Sequence, residues 1–411
     1  MPTRLSVVIA LLAVALYLLA NQTQVGWVYV MSNGLVGLLL VAFFLSKGML
    51  KPLQGRRQLS NLARRRNPAD LTPGPANGDA APELAPPDFF EDDPVQVTLT
   101  LSHTRLKPAF LIEGQEQCPF APPAGRQQRF FVSSLFKGQS VPLRYQTRCH
   151  RRGLYHFPPL KLQSKGPFNL FGTRHTLAVP GQILIYPDYY PLNRMRLLEN
   201  KGFANRKVMR VGSGSEVIGT REYRSGDSLR QIHWRNTARV GKLVVKEFAD
   251  EDQLTMTVLL DLSTGGSVGQ GKFSTFETAV RLAASLGYYA TRHTMPFYLA
   301  GQSQRRPPPR IALSWPGILN YLAKAENDGD TPLANLLRTL PPLPFLVVLA
   351  SHPTEPLGRE LATLPHRGIQ TLALFITPEG TLPAWATALA APGLEVKPVE
   401  PRHWPAALKE L

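Results

Sequence analysis

The chain has 411 residues and a formal net charge of +17, from 46 Lys and Arg against 29 Asp and Glu. Its 44% hydrophobic content suits a globular protein with two or three domains, and its 38 prolines argue against an all-helical one. Two cysteines, Cys118 and Cys149, are too few for a disulfide framework or a zinc site and fit a reducing compartment.

Residues 5–20 and 25–45 are apolar and carry no charge. Crossing a bilayer takes ~20 such residues, so the second stretch is long enough and the first sits at the short edge. Trp27 and Tyr29 stand near one end of the second, where amphipathic rings favour the headgroup level. Only Asn21, Gln22, Thr23 and Gln24 separate the stretches, which predicts a transmembrane helical hairpin over 1–50. A cleaved signal peptide is the rival reading of 5–20. The weak basic start and the immediate second apolar stretch argue against it.

Lys47, Lys51, Arg56, Arg57, Arg64, Arg65 and Arg66 crowd the flank that follows. The positive-inside bias then places that flank, and the domains after it, on the cytoplasmic side of a bacterial inner membrane, as a two-pass protein. Much of the excess charge lies in this run, where each basic residue near an anionic leaflet contributes ~1 kcal/mol. No recognisable nucleic-acid module accompanies it, so a membrane surface is the expected partner and nucleic acid is not.

Residues 51–94 read as a basic juxtamembrane segment and a linker, the part from 68 to 94 being rich in Pro, Ala, Gly and acid. From Val95 the pattern turns to period two. Short strands are expected within 95–101, 110–112, 129–132, 141–145, 160–162 and 183–186, which makes 95–195 an antiparallel β-sandwich. Over 196–411 the pattern predicts an α/β domain. Apolar runs at 255–260, 296–300, 345–350 and 371–376 stand beside helical stretches at 275–290, 319–325, 333–340 and 357–364. The expected fold class is therefore multidomain α+β.

The most distinctive segment joins the two regions: Arg221, Glu222, Tyr223, Arg224, Ser225, Gly226, Asp227, Ser228, Leu229, Arg230, Gln231, Ile232, His233, Trp234 and on to Arg239. Asp227 is placed to cap a short helix that Gly241 closes, and Leu229 and Ile232 are spaced to face inward. The segment reads either as a packed strand–turn–helix or as a surface on which charges around an exposed Trp234 clamp a partner.

Together with Arg151-Arg152-Gly153-Leu154-Tyr155, Pro167-Phe168-Asn169-Leu170-Phe171 and Ile185-Tyr186-Pro187, this segment resembles the domain-of-unknown-function 58 family. The resemblance implies a membrane-anchored accessory protein with a von Willebrand factor A-like domain. It also implies a MoxR-type AAA+ ATPase as partner, in the assembly or maturation of other proteins. It makes Arg221, Glu222, Tyr223, Gly226, Asp227, Arg230, His233, Trp234 and Arg239 the candidate partner surface, and it implies no enzymatic activity.

An A-like domain would place a metal-ion-dependent adhesion site, Asp-x-Ser-x-Ser, after its first strand, with oxygen ligands suited to Mg²⁺. Asp261 and Ser263 stand at the first two positions, but Gly265 replaces the second serine. Ser351 and His352 follow 345–350 where a later acid belongs, so no bound cofactor is expected. The neighbouring run from Gly266 to Phe273 nearly fits the phosphate-cradling G-x-x-x-x-G-K-[ST], but Phe273 lacks the hydroxyl that holds Mg²⁺. Cys149 and His150 are adjacent on a strand and face opposite ways, which rules out a nucleophile–base pair. The expected function is a non-enzymatic adaptor; the alternative is a cryptic nucleotide- or metal-binding hydrolase using the 261–273 loop.

Overall fold

The computed structural model describes residues 2–63, 89–199, 211–224, 227–249, 254–341, 343–389 and 392–409. They divide into two compact units, the first reaching Asp188 and the second starting at Tyr189.

The first unit begins with α1 (Arg4–Thr23) and α2 (Gly26–Ser46), two helices of mean hydropathy 2.1 and 2.2, long and apolar enough to span a membrane. Thr3 caps α1 by accepting from the Ser6 amide, and Gln24 ends it in the left-handed region. The helices meet on small residues. Ala13, Ala20, Ser32 and Ala42 are buried, and the Ser32 hydroxyl donates to the Ala13 carbonyl at 2.8 Å. Small side chains let apolar helices approach closely where no hydrophobic effect drives them together.

A short turn leads from α2 into β1 (Leu53–Asn61). The sequence reading assigned these residues to a juxtamembrane segment; instead β1 pairs antiparallel with β2 (Pro94–His103), from Leu53 opposite His103 to Asn61 opposite Val95. Its alternation was masked because one inward position is a charge. Arg57 Nε lies 2.8 Å from Glu116 Oε1, with both side chains 2% exposed. Its Nη1 donates to the Val179 carbonyl, and its guanidinium stacks 3.9 Å from the Phe157 ring centroid. Of the expected linker, 64–88 lies outside the described residues.

The remaining strands are β3 (Ala109–Gln117), β4 (Gln127–Leu135), β5 (Ser140–Arg148), β6 (Gly153–His156), β7 (Leu160–Ser164), β8 (Thr173–Leu177) and β9 (Gln182–Ile185). They form sheets of order β1-β2-β5, β4-β3-β7-β8 and β6-β9, with antiparallel pairing throughout. Leu99 and Leu101 of the first sheet pack with Ile112, Val132, Leu160 and Leu162 of the second. Inward apolar side chains from two sheets sharing one core are the hallmark of a sandwich. Cys118 and Cys149 lie buried as free thiols in an adjacent cluster.

The second unit carries a short α3 (Arg196–Glu199), then β10 (Val211–Glu222) paired antiparallel with β11 (Val244–Ala249), with α4 (Trp234–Val240) between them. An α/β layer follows: β12 (Met256–Leu260), α5 (Thr275–Arg292), β13 (Phe297–Ala300), α6 (Trp315–Lys324), α7 (Leu333–Thr339) and β14 (Phe345–Ala350). It ends with α8 (Glu355–Thr363), β15 (Gln370–Ile376), β16 (Leu394–Val399) and α9 (Trp404–Lys409). The sheet is entirely parallel, in the order β13-β12-β14-β15-β16. Its central strands are buried at every position of β12 and β14, which explains why Thr257 is their one polar residue. β16 holds Pro398 and two charged residues, Glu395 and Lys397, as an edge strand tolerates, and carried no readable signal.

Strand order reverses between β12 and β14, because β13 lies on one side of β12 and β14 on the other. In open parallel sheets, ligand crevices form outside the carboxyl ends of strands at such a switch point. Asp261 and Ser351, the residues immediately after β12 and β14, stand there.

Candidate functional site

The β10–β11 segment is held by its backbone. The Tyr223 amide donates to the Leu243 carbonyl, the His233 amide to Val244, and the Val244 amide to the Thr237 hydroxyl at 3.1 Å. Arg221 grips Asp227 with both guanidinium ends, at 2.6 and 2.8 Å, and the Arg224 amide donates to the same carboxylate. Asp227 therefore ties the turn to β10 and does not cap α4, as its sequence position suggested. The cap is His233, whose Nδ1 accepts from the Asn236 amide at 3.2 Å. Gly241 closes the helix at φ +71°, as expected. Gly226 lies outside the described residues.

The side chains on this frame divide sharply. Ile232 is buried, but Leu229 and Trp234 are each 66% exposed, so Leu229 does not face inward. Arg230, Arg235 and Arg239 are exposed beside them. Glu222 pairs with Lys242 at 3.0 Å in full solvent, a contact of little energetic consequence. With both acids of the segment engaged, its outward face is basic and apolar together.

The Arg221 hydrogen bonds, then the Arg224 amide, pull the Asp227 carboxyl well below the usual carboxylate range, to about 2. A depressed folded value means that the pairing stabilises the turn above the ordinary carboxylate pKa and is lost as pH falls toward 2. Hydrogen exchange of the Arg224 amide should therefore stay slow at neutral and mildly acidic pH. In Asp227→Asn it should be fast across that range, and tryptic cleavage after Arg224 should accelerate.

At the switch point, Asp261 is 1% exposed and both carboxylate oxygens are occupied by protein donors. Oδ1 accepts from the Ser263 hydroxyl at 2.7 Å, the Ser263 amide at 3.2 Å and the Gln302 amide group at 3.1 Å. Oδ2 accepts from the Ser351 hydroxyl at 3.1 Å and the His352 amide at 3.3 Å. Thr264 turns away and donates to the Gly329 carbonyl. A cleft of about 370 Å³ opens beside them, lined also by Asp330 and Thr331. Ser351 stands where the sequence lacked the expected acid, whereas Gln302, Asp330 and Thr331 were not foreseen. Gln302 follows β13 and Asp330 and Thr331 lie between α6 and α7, and only the tertiary fold brings them to Asp261.

The glycine-rich loop folds on itself. Val268 and Thr275 exchange hydrogen bonds at 2.9 and 3.0 Å, Gly265, Gly269 and Gly271 adopt positive φ, and the Lys272 ammonium lies over the Phe273 ring at 5.1 Å. Ser274 caps α5 by accepting from the Glu277 amide, closing an S-x-x-E pattern. Cys118 lies in apolar surroundings, and burial pushes its thiol up to about 11; burial raises that of Cys149 further. Both thiols are thereby kept protonated and poorly nucleophilic at neutral pH.

Residues 219–331 match the model of the family described as "Protein of unknown function DUF58". The matched range takes in the β10–β11 segment and the Asp261 cleft. It begins after the upstream motifs at 151–155, 167–171 and 185–187, and it continues past residue 300. The chain is also 21% identical over 221 residues to the "Uncharacterized protein YeaD" of Bacillus subtilis (strain 168), over 52% of this chain and 53% of that protein. The chain thus spans about half the length of the curated relative it matches. Among solved structures, a GH20 exo β-N-acetylglucosaminidase from Vibrio harveyi aligns over 79% of this chain and 57% of its own. Its TM-score is 0.22 and its identity 8%, which carries no inference about fold or activity.

Proposed function

We propose that the chain is a membrane-anchored, non-enzymatic accessory protein of a bacterial inner membrane, with two protein-binding domains held at the cytoplasmic face. Its partner is a MoxR-type AAA+ ATPase, and its process is the assembly or maturation of other proteins. The observation that carries this reading is Trp234, two-thirds exposed on a frame fixed by backbone hydrogen bonds and the Arg221–Asp227 clamp, within the family-matched range. A large aromatic with neighbouring arginines on a rigid support is the composition of an interface hot spot. The basic rim complements an acidic surface on the partner. α1 and α2 supply the anchor, and the basic flank after α2 supplies the orientation. Pull-down of the full-length protein from detergent extract tests the reading. Recovery of a AAA+ ATPase supports it, and recovery of neither such an ATPase nor a client protein counts against it.

The parallel sheet is read as a von Willebrand factor A-like core whose adhesion site has been closed by protein donors. Gln302 and Ser351 give Asp261 the hydrogen bonds that a cation and its waters would otherwise provide. Titration of the detergent-solubilised protein with Mg²⁺, with and without ATP, is expected to give no saturable heat. Saturable binding that disappears in Asp261→Asn would instead favour the hydrolase reading of the 261–273 loop.

A further inference from the structure

Three loops of the β-domain end up at one pole of the sandwich, and strand register fixes which pole. Leu53, the first residue of β1 after α2, pairs with His103 at the end of β2, so loop 104–108 starts there. Ser102 pairs with Ser140 and Ala109 with Leu135, which brings loop 136–139, linking the two sheets, to the same pole. Ile112 pairs with Ser164 and Ser164 with Thr173, which adds loop 165–172.

Direct contacts agree. The Lys107 ammonium donates to the carbonyls of Phe44 and Lys47 at the end of α2, at 2.5 and 2.8 Å. The Thr3 amide and hydroxyl donate to Leu170 and Asn169, and Phe43 meets Phe171 edge to face with centroids 5.5 Å apart. All three loops therefore surround the point where both helices leave the β-domain.

Their composition is one-sided. None of the three contains Asp or Glu, while Arg105, Lys107, Lys137 and Lys165 supply four positive charges. Each also presents an apolar side chain to solvent: Leu106 is 83% exposed, Phe136 46% and Phe168 47%. The opposite pole, where Asn61 faces Val95, is mixed in charge: Glu91, Asp92 and Asp93 lie close to Arg148, which pairs with Pro94, and to Arg152, whose amide donates to Glu91.

We infer that this pole is a lipid-docking collar: the loops seat on an anionic phospholipid leaflet, with Leu106, Phe136 and Phe168 entering the headgroup layer and Arg105, Lys137 and Lys165 pairing with lipid phosphates, while Lys107 holds the end of α2. The inference rests on the membrane reading of α1 and α2, and adds that the β-domain itself touches the bilayer in one orientation. Apolar tips ringed by Lys and Arg bind anionic interfaces through buried area and charge together. Each basic residue at such a surface strengthens the attraction about fivefold.

Single cysteines at 106, 136 and 168, and at Gln127 toward the opposite pole as control, can carry an environment-sensitive fluorophore, because Cys118 and Cys149 are buried. The full-length protein is reconstituted into phosphatidylglycerol or phosphatidylcholine vesicles and floated. The expected result is a blue-shifted emission, quenched by brominated lipid, at the three loop positions in phosphatidylglycerol. That shift should be absent at position 127 and lost in the double variant K137E/K165E. Protein that floats while all three loop probes report water overturns the collar and leaves the anchor standing. Equal penetration in phosphatidylcholine overturns the anionic preference. Protein that fails to float overturns both readings.

Discussion

Replacing Glu116 with alanine is expected to raise the labelling rate of the buried Cys118 and Cys149 thiols by about 10²–5×10³-fold under native conditions. Arg57 sits on β1 with its guanidinium wedged between Glu116, the Val179 carbonyl and the Phe157 ring. Removing the carboxylate leaves a buried charge with no counterion, and breaking a buried ion pair in this way costs about 3–5 kcal/mol. That loss is far larger than any exposed pair on this protein would produce, such as Arg305 with Glu326. Cys118 stands two residues from Glu116, and both thiols are shielded by the sandwich, so their modification by a small alkylating reagent reports opening of this domain. A double change to Arg57→Met and Glu116→Leu should recover most of the protection, because apolar replacement of both partners removes the unpaired charge. Unchanged labelling in Glu116→Ala would show that the pair does not hold β1 to the sandwich.

Trp234→Ala is expected to weaken partner binding by about 30–1,000-fold, the consequence of losing a hot-spot residue that contributes about 2–4 kcal/mol. Its effect on folding should stay within about 0.5 kcal/mol, as for surface positions generally. The contrast is Ile232→Ala, two residues away, where the side chain is buried and the backbone bridges to Val245 of β11. There the cost falls on folding, about 2–5 kcal/mol. Thermal unfolding and affinity measured on both variants separate the two roles. Loss of stability in Trp234→Ala with unchanged affinity would assign the ring to structure.

The architecture was legible where burial is two-sided. β14 is apolar at every position and β12 at all but Thr257, because helices cover both faces of a parallel sheet, and such runs stand out in any sequence. β2 was equally plain from its strict alternation. β1 was not, since its inward Arg57 is neutralised by Glu116, 59 residues away, and a period-two reading counts it as polar. The short strands β6 and β8 bury no position fully, so no apolar face marked them, whereas the equally short β7 and β9 bury alternate residues.

At the sites, the local rules found the residues but not always their work. Asp227 looked like a cap because of its spacing to a helix. The Arg221 guanidinium, six residues earlier and facing it across the turn, outcompetes that role with two charge-assisted bonds. Gly241 obeyed its rule because only a residue free to adopt positive φ ends α4 there. Asp261 and Ser263 were recognisable from their spacing, whereas Gln302 lies 41 residues on and Ser351 90 residues on. The place of Ser351 was read only as the gap left by a missing acid, and no pattern along the chain links Gln302 to Asp261; the crossover order of the sheet does.

Whether the exposed face around Trp234 meets another protein is the central question. Site-specific incorporation of a photo-crosslinking amino acid at position 234 of the 411-residue chain, with crosslinking in intact cells, asks this directly. The expected result is a crosslinked adduct containing a AAA+ ATPase, and its loss when Arg230 and Arg239 are changed to Glu on the same face. Crosslinking confined to lipid or to the chain itself, with no ATPase or client protein recovered, would contradict it.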